Sequence, residues 1–207
     1  MKRAFTLIEL LIVVAIIAIL AAIAVPNFLE SQTRAKVSRA MADMRSIATA
    51  IEAYRVDYNR YPLDWMEWGF QSAAGVVLTL DHASVLAPLT TPVAYLTSIP
   101  KDPFAPRLEG VQFPIWYATP EGYGYGSPSD YHSNPSDPAA LFYGPRAQYQ
   151  WVLASWGPDM RVEFGRYGPE WHGDVLYYDA TNGSKSQGDI YYYGPGGGFN
   201  PAPAPSR

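Results

Sequence analysis

The sequence predicts an α+β protein, in which one long N-terminal helix packs on a small antiparallel β-sheet head with long loops. Residues 10–25 contain no polar side chain, and residues 37–58 repeat apolar side chains at helical spacing. The remaining chain is rich in Tyr, Pro and Gly and contains short segments typical of strands. We therefore expect five segments: a leader (1–4), an apolar membrane or filament-core helix (5–26), an amphipathic helix (27–60), a β-rich head (61–193) and a disordered tail (194–207).

The apolar segment has the length of a membrane-spanning helix. As a helix, residues 5–25 would extend about 31 Å, close to the thickness of a bilayer core. A cleaved signal peptide would have a basic start, a shorter apolar core and a small-residue cleavage site, whereas a retained helix keeps its basic flank in the cytoplasm. Lys2 and Arg3 suit both interpretations, and alanines at 21–24 could serve as a cleavage site. Length and charge alone leave both open.

Glu9 is the acid at the head of this segment. A carboxylate inside a membrane helix costs about 2.5 kcal/mol or more near the bilayer centre. Glu9 therefore either lies near the lipid headgroups, where the cost is small, or pairs with a cation.

Residues 4–10, Ala-Phe-Thr-Leu-Ile-Glu-Leu, resemble the processing site of type IV pilins and type II secretion pseudopilins. The resemblance implies that a prepilin peptidase cleaves between Ala4 and Phe5 and methylates the new amino terminus of Phe5. That family usually has Gly before the cut, where this chain has Ala4. It also implies that Glu9 pairs with the Phe5 amine of a neighbouring subunit, because two charges that are costly apart in lipid become tolerable together.

The helix is expected to continue beyond the apolar segment. Pro26 lacks an N–H and should kink or locally unwind it. One helix from residue 5 to about Asn59 then ends before Tyr61 and Pro62. Its second half carries an apolar stripe that predicts packing on the head, formed by Val37, Met41, Met44, Ile47, Ala48, Ile51, Tyr54 and Tyr58.

The head should contain short elements joined by long connections. The predicted elements are a short helix at 83–89 and strands at 112–118, 148–155, 174–178 and 189–193. In the second strand, Tyr149, Trp151 and Leu153 should share one face. Residues 122–145 are rich in Gly, Ser, Pro and Asn, which predicts a long surface loop.

Two acidic segments late in the chain could bind calcium. The oxygen-bearing side chains are those of Asp159, Asp179, Asn182, Ser186 and Asp189. Calcium takes six to eight oxygen ligands, but the same residue types also form ordinary turns, so their spacing leaves both interpretations open. Four landmarks follow, in order, those of the major pseudopilin of type II secretion: 61–62, 100–104, 155–159 and 188–190. That resemblance implies calcium in this region, with Asp159 and Asp189 the best-supported ligands.

Composition favours no catalytic or nucleic-acid function. The formal net charge is −4, and −6 without Lys2 and Arg3, which disfavours nucleic acid as a partner. The chain has no Cys, its three His have no ligand-like spacing, and no nucleophile or phosphate-binding motif occurs. We therefore expect no enzyme.

The resemblance implies a structural subunit of a type IV pilus-like filament, most similar to a type II secretion pseudopilin. Such a subunit sits in the bacterial inner membrane with its head in the periplasm before it polymerises with copies of itself. The implied partners are membrane lipid, minor pseudopilins or pilins, the prepilin peptidase, and an inner-membrane assembly platform with a cytoplasmic ATPase. The alternatives are an extracellular pilin-like fibre subunit with an adhesive role, and a membrane-tethered binding protein or enzyme.

Overall fold

The fold was analysed in a computed structural model of the chain. The residues that it describes are 6–62, 85–105, 122–126, 149–160, 166–167, 170–171, 177–186 and 188–199. The predicted strand at 112–118 lies outside these residues, as do all three His.

A single long helix, α1 (Leu7–Tyr58), dominates the structure and contains 52 residues. It begins after Thr6, whose side chain caps the first turn, and it ends at Asn59, which adopts a left-handed backbone conformation with φ 54°. Arg55 donates a hydrogen bond to Asn59 Oδ1 at 2.7 Å in the last turn. The predicted helix is therefore confirmed.

Pro26 lies inside α1, which continues on both sides of it. The local unwinding predicted there is wrong, while a bend at Pro26 remains a prediction. Proline removes one backbone donor, so the carbonyl of Ala22 loses its intrahelical partner. The flanking turns keep their own hydrogen bonds, and one missing bond is not enough to end the helix.

The second half of α1 packs on the head through the predicted stripe. Its buried residues are Val37, Ala40, Met44, Ile47, Ala48, Ala50, Ile51 and Tyr54. Met41 is half-buried, whereas Tyr58 is 41% exposed and stacks on Tyr54 with ring centroids 4.4 Å apart. The stripe therefore faces the core along most of its length and reaches the surface at the end of the helix.

The head contains a three-stranded antiparallel sheet in the order β1-β2-β5. Its strands are β1 (Gly124–Gly126), β2 (Trp151–Ser155) and β5 (Ile190–Gly194). A separate antiparallel pair, β3 (Arg166–Tyr167) and β4 (Glu170–Trp171), was not predicted. The predictions for β2 and β5 are confirmed.

Strand β1 overturns part of the predicted loop at 122–145. Tyr123 and Tyr125 are 1% and 5% exposed, and Gly124 lies opposite Ala154 of β2. The Gly-rich composition indicated a loop, but burial of the two tyrosines and pairing with β2 favour a short strand. Residues 127–145 lie outside the described part of the chain.

The two faces of β2 contact different clusters. Trp151 and Leu153 belong to the core that includes the buried face of α1. Tyr149 instead packs with Val152, Tyr191 and Tyr193 on the other cluster. The prediction that Tyr149 shares a face with Trp151 is wrong, because Tyr149 precedes the strand and does not follow its alternation.

The disordered tail predicted at 194–207 is wrong for residues 194–199. Gly194 is the last residue of β5, and Phe199 forms an antiparallel bridge with Tyr192. The rings of Tyr192 and Phe199 meet edge to face at 4.8 Å, and the Arg45 guanidinium lies 4.9 Å from the centre of the Phe199 ring. These aromatic contacts order a segment that its Gly and Pro content suggested would be loose. Residues 200–207 lie outside the described part of the chain.

The other predicted elements are only partly within the described residues. The short helix expected at 83–89 contains a 3₁₀ turn at Ala87–Leu89, and residues 83–84 lie outside. Of the strand expected at 174–178, Tyr177 and Tyr178 are described, and Tyr177 forms an isolated parallel bridge with Asp189.

The packing of α1 on the sheet leads to a stability prediction. Ile47 is fully buried, so we expect Ile47→Ala to lower the free energy of unfolding by about 2–5 kcal/mol. Urea denaturation of the full chain in detergent, followed by Trp fluorescence, measures this change. The matched control is the exposed Thr49→Ala, for which we expect a change within about 0.5 kcal/mol. Equal effects of the two substitutions would contradict the packing described.

Candidate assembly site and the calcium region

The first half of α1 is an exposed apolar cylinder. Its large apolar side chains between Leu7 and Leu29 are all at least 46% exposed. This part of the helix is long and apolar enough to cross a membrane. Exposure of so much apolar surface on every side means that lipid or other protein must cover it.

Glu9 forms a reciprocal capping box with Thr6 at the start of α1. The Glu9 backbone N–H donates to the Thr6 hydroxyl oxygen at 3.3 Å, and Glu9 Oε2 accepts from the Thr6 N–H at 2.9 Å and from its hydroxyl at 2.7 Å. The carboxylate therefore has partners within its own chain. Thr6 was not among the predicted site residues, although the Thr-x-x-Glu spacing could have identified it. Ala4 and Phe5 lie outside the described residues, so their predicted roles remain predictions.

The exposed back of α1 beyond the apolar half carries a run of small side chains. This small-residue face consists of Ser31, Ala35, Ser38, Ala42, Ser46 and Thr49. Three of its hydroxyls donate to carbonyl oxygens of the same helix one turn earlier, at 2.8, 3.2 and 2.9 Å for Ser31, Ser46 and Thr49. Because these donors are satisfied internally, burying them against a second helix would cost little.

Asp102 fixes the loop that follows the 3₁₀ turn to the end of β2. Its Oδ1 accepts from the Phe104 N–H at 2.9 Å, and its Oδ2 accepts from the Trp156 N–H at 2.9 Å. The side chain is almost fully buried, and burial raises the pKa of the Asp102 carboxyl above its ordinary value, with the Asp43 carboxylate adding to the rise. This aspartate lies in the landmark at 100–104, and no local pattern indicates its role, because its second partner is 54 residues away.

Two carboxylates that belong to α1 also accept hydrogen bonds from the head. Trp151 Nε1 donates to Glu52 Oε1 at 2.7 Å across the helix–sheet contact. The Tyr123 hydroxyl donates to Asp43 Oδ2 at 3.2 Å. In the described part of the chain, residues of α1 and of the head are thus joined by hydrogen bonds to acids as well as by the apolar core.

The predicted calcium ligands fall into two groups. Asp159 Oδ2 accepts from the Gly188 N–H at 3.3 Å, which places this carboxylate beside the turn that contains Ser186 and Asp189. Ser186 and Asp189 are buried, and Asp189 Oδ2 accepts from the Tyr191 hydroxyl at 2.8 Å. The structure therefore gathers these three residues around one turn.

Asp179 and Asn182 are arranged differently. The Asp179 carboxylate accepts from the Thr181 N–H at 2.8 Å and from the Thr181 hydroxyl at 2.7 Å, and both Asp179 and Asn182 are exposed. Only the backbone of Asp179 contacts the first group, through its N–H and Ser186 Oγ at 2.7 Å. Asp179 thus forms an ordinary turn with its carboxylate, as the alternative interpretation of its sequence expected.

Glycines bring the two acidic loops into direct contact. Gly157 has φ +68°, and a Cβ added there would lie 2.2 Å from the Gly188 carbonyl oxygen. A larger residue cannot fit without moving the backbone. Among the described residues, no group of three or more His, Cys, Asp or Glu side chains is arranged to hold a metal. Calcium here would therefore need carbonyl and hydroxyl oxygens beside the carboxylates of Asp159 and Asp189.

Comparison with known proteins identifies both parts of the N-terminal half. Residues 1–25 match the family model described as the prokaryotic N-terminal methylation motif, and residues 27–110 match that of type II secretion system protein G. The type II secretion system core protein G of Klebsiella pneumoniae is 30% identical over 103 residues, which cover 50% of this chain and 69% of that protein. The chain belongs to the type II secretion system protein G family.

Two further relatives match this chain over shorter stretches. The type IV major pilin protein PilA of Myxococcus xanthus is 48% identical over 74 residues, 36% of this chain and 34% of that protein. The core protein G of Pectobacterium carotovorum is 38% identical over 61 residues, 30% of this chain and 39% of that protein. The chain thus spans little more than a third of the length of these two relatives. No solved structure gives a significant match.

The raised pKa of Asp102 predicts a pH-dependent stability. The folded chain holds the Asp102 carboxyl proton more tightly than the unfolded chain does. The contribution of this group to the free energy of unfolding is therefore complete below its ordinary pKa of 3.8, and it is lost as pH rises through the folded-state pKa. We expect Asp102→Asn to remove this part of the dependence of the free energy of unfolding on pH. It should also cost about 1–3 kcal/mol, because an amide cannot accept from both N–H groups.

Urea denaturation of the full chain in detergent, repeated across mildly acidic to neutral pH, tests this expectation. The control is Glu30→Gln, at a half-buried position of α1, which should keep the wild-type dependence of stability on pH. An unchanged slope in Asp102→Asn would show that other groups set the pH dependence.

Proposed function

We propose that this protein is a structural subunit of a type II secretion filament, a pseudopilin that polymerises through α1 to support protein export. The observation that carries the proposal is one continuous helix. Its first half is exposed and apolar, and its second half packs on the head through a buried face. A rigid connection of this kind lets the head stay folded while the apolar half moves from lipid into a protein environment.

The two exposed surfaces of α1 suit this assembly. In the membrane, lipid covers the apolar half, and in a filament the same residues pack on neighbouring copies. Further along, the small-residue face allows close approach of a second helix, since side chains of this size let helix backbones come near one another. Contacts between unlike surfaces of successive copies generate open helical filaments.

The capping box gives Glu9 a place in this scheme. Before assembly, the Thr6 N–H and hydroxyl hold the carboxylate within its own chain. After cleavage between Ala4 and Phe5 and methylation of Phe5, the new amine of a neighbouring subunit pairs with Glu9. The pairing neutralises two charges that would otherwise be buried separately in the filament core.

The proposed setting is the bacterial inner membrane, with a single span and the head in the periplasm. The prepilin peptidase processes the leader, and minor pseudopilins and an assembly platform with a cytoplasmic ATPase support polymerisation. The role of this chain is structural rather than catalytic, in keeping with its membership of the protein G family.

The role of Glu9 leads to a test of assembly. We expect Glu9→Gln to insert into the membrane normally and to reduce incorporation into filaments at least about tenfold, because loss of a buried charge partner costs more than the ~1.4 kcal/mol that tenfold represents. Releasing the periplasmic contents, separating assembled filaments from membranes by centrifugation and quantifying the subunit in both fractions measures both effects. The matched control is Glu30→Gln, which removes a half-buried acid of the same helix and should assemble as the wild type does. Normal assembly of Glu9→Gln would contradict the pairing.

A second candidate function is that of an extracellular pilin-like fibre subunit. The 48% identity to the Myxococcus xanthus pilin over 74 residues favours it. Electron microscopy at native expression separates the two: long surface fibres labelled by antibody against this chain indicate a pilin, and short periplasmic assemblies indicate a pseudopilin.

We also propose that Asp159, Ser186 and Asp189 bind calcium as side-chain ligands. Their position around one turn supports this set. Asp179 and Asn182 are secondary candidates, since the Asp179 carboxylate is already engaged by Thr181.

Calcium binding predicts a metal-dependent melting temperature. Saturating calcium should raise the melting temperature of the full chain in detergent by several degrees, and chelation should reverse the rise, because a ligand that binds only the folded state stabilises it. Asp189→Asn should abolish the response, whereas Asp57→Asn, the same exchange at an exposed position of α1, should keep it. A melting temperature that changes with neither calcium nor chelator would rule out the site.

A further inference from the structure

Three cations follow the apolar half of α1 within ten residues. Arg34, Lys36 and Arg39, together called the basic collar, come after Leu29, the last residue of the exposed apolar run. At ~1.5 Å per residue, they begin about 7, 10 and 15 Å beyond Leu29 along the helix axis. Side chains on a helix lean toward its N-terminus, and the Arg34 guanidinium does so, since it contacts Glu30 one turn earlier, whereas Arg39 contacts Asp43 one turn later.

This position matches the polar layer of a bilayer. The headgroup region adds about 5–7 Å on each side of the hydrocarbon core. If the apolar half fills the core, Arg34 lies at the outer edge of that layer. Lys36 and Arg39 have long flexible side chains, and rotation of these toward the apolar half would bring their charges near the layer. Arg45, the next cation of the helix, lies about 24 Å from Leu29 and is too distant to take part.

The three cations of the basic collar point in different directions around the helix and do not share one face. Arg34 is close enough to Tyr178 of the head to influence its ionisation, while the Lys36 ammonium lies 5.9 Å from the centre of the Phe104 ring. The side chains of Arg34 and Arg39 are 62% and 68% exposed. Cations are thus presented on both flanks of the buried face of α1.

Two acids lie close to the basic collar and do not neutralise it. Glu30 pairs with Arg34 at 2.7 Å, and Asp43 lies 3.6 Å from Arg39. Both pairs span one helical turn and both cations are largely exposed, so these pairs are weak and easily exchanged for other partners. Within the described residues, no carboxylate lies within ion-pair distance of Lys36. Residues 30–39 therefore carry three cations and one anion.

We propose that the basic collar binds the phosphate groups of anionic phospholipids at the membrane surface on the head side. The contact sets the depth of the helix in the bilayer, because moving the cations away from the headgroups breaks it. Each Lys or Arg near an anionic surface contributes a favourable interaction that salt weakens. The inference rests on the membrane anchoring proposed above.

Lipid selectivity of the reconstituted chain tests the proposal. The purified full chain is placed in vesicles of phosphatidylcholine, alone or mixed with phosphatidylglycerol, and spin-labelled versions of each lipid report the fraction held at the protein surface. We expect about fivefold enrichment of phosphatidylglycerol over phosphatidylcholine, falling toward one at high salt. The triple variant R34Q/K36Q/R39Q should lose the enrichment, and Lys36→Arg should keep it.

The matched control is Arg60→Gln, which removes one exposed cation at the far end of α1 and should retain full enrichment. Absence of enrichment in the wild-type chain would overturn the proposal, as would retention of the enrichment by the triple variant or an equal loss in Arg60→Gln. The wild-type comparison depends on no variant. Flotation with phosphatidylcholine vesicles is scored first: failure to float contradicts the membrane anchoring, whereas flotation without lipid selectivity contradicts the basic collar alone.

Discussion

The apolar half of α1 cannot remain in water, and the organisation of the whole molecule depends on that constraint. Its side chains are exposed on every side, so the head does not cover them, and lipid or other protein must. The helix is therefore continuous through Pro26, because a break would expose unpaired backbone groups in an apolar environment. Polar groups at its start are satisfied internally, through the reciprocal contacts of Thr6 and Glu9.

Carboxylates help to hold the described part of the head together and join it to α1. The chain has no Cys, and Asp102 instead joins backbone N–H groups of Phe104 and Trp156 that are far apart in sequence. Glu52 performs a similar task between α1 and Trp151. A buried carboxylate is costly to ionise, but removing it would leave two backbone donors without partners, so the arrangement is stable as a unit.

Periodic features could be predicted from the sequence, whereas long-range pairings could not. The length of α1, its buried stripe and strands β2 and β5 follow from local patterns of apolar residues. Strand β1 was missed because its Gly content indicated a loop, and only pairing with β2 reveals it. Asp102 was missed because no local pattern indicates a partner 54 residues away. Thr6 could have been found from its spacing to Glu9, while the calcium ligands remain a prediction.

The chain that follows β5 covers part of the sheet edge that this strand forms. Strand β5 lies at the edge of the described sheet, and such an edge can pair with the sheet of another copy. Phe199 bridges to Tyr192, and the Tyr193 N–H donates to the Gly198 carbonyl at 3.3 Å, so part of this edge is already occupied by the chain's own backbone. Pairing of this edge with the sheet of another copy is therefore hindered.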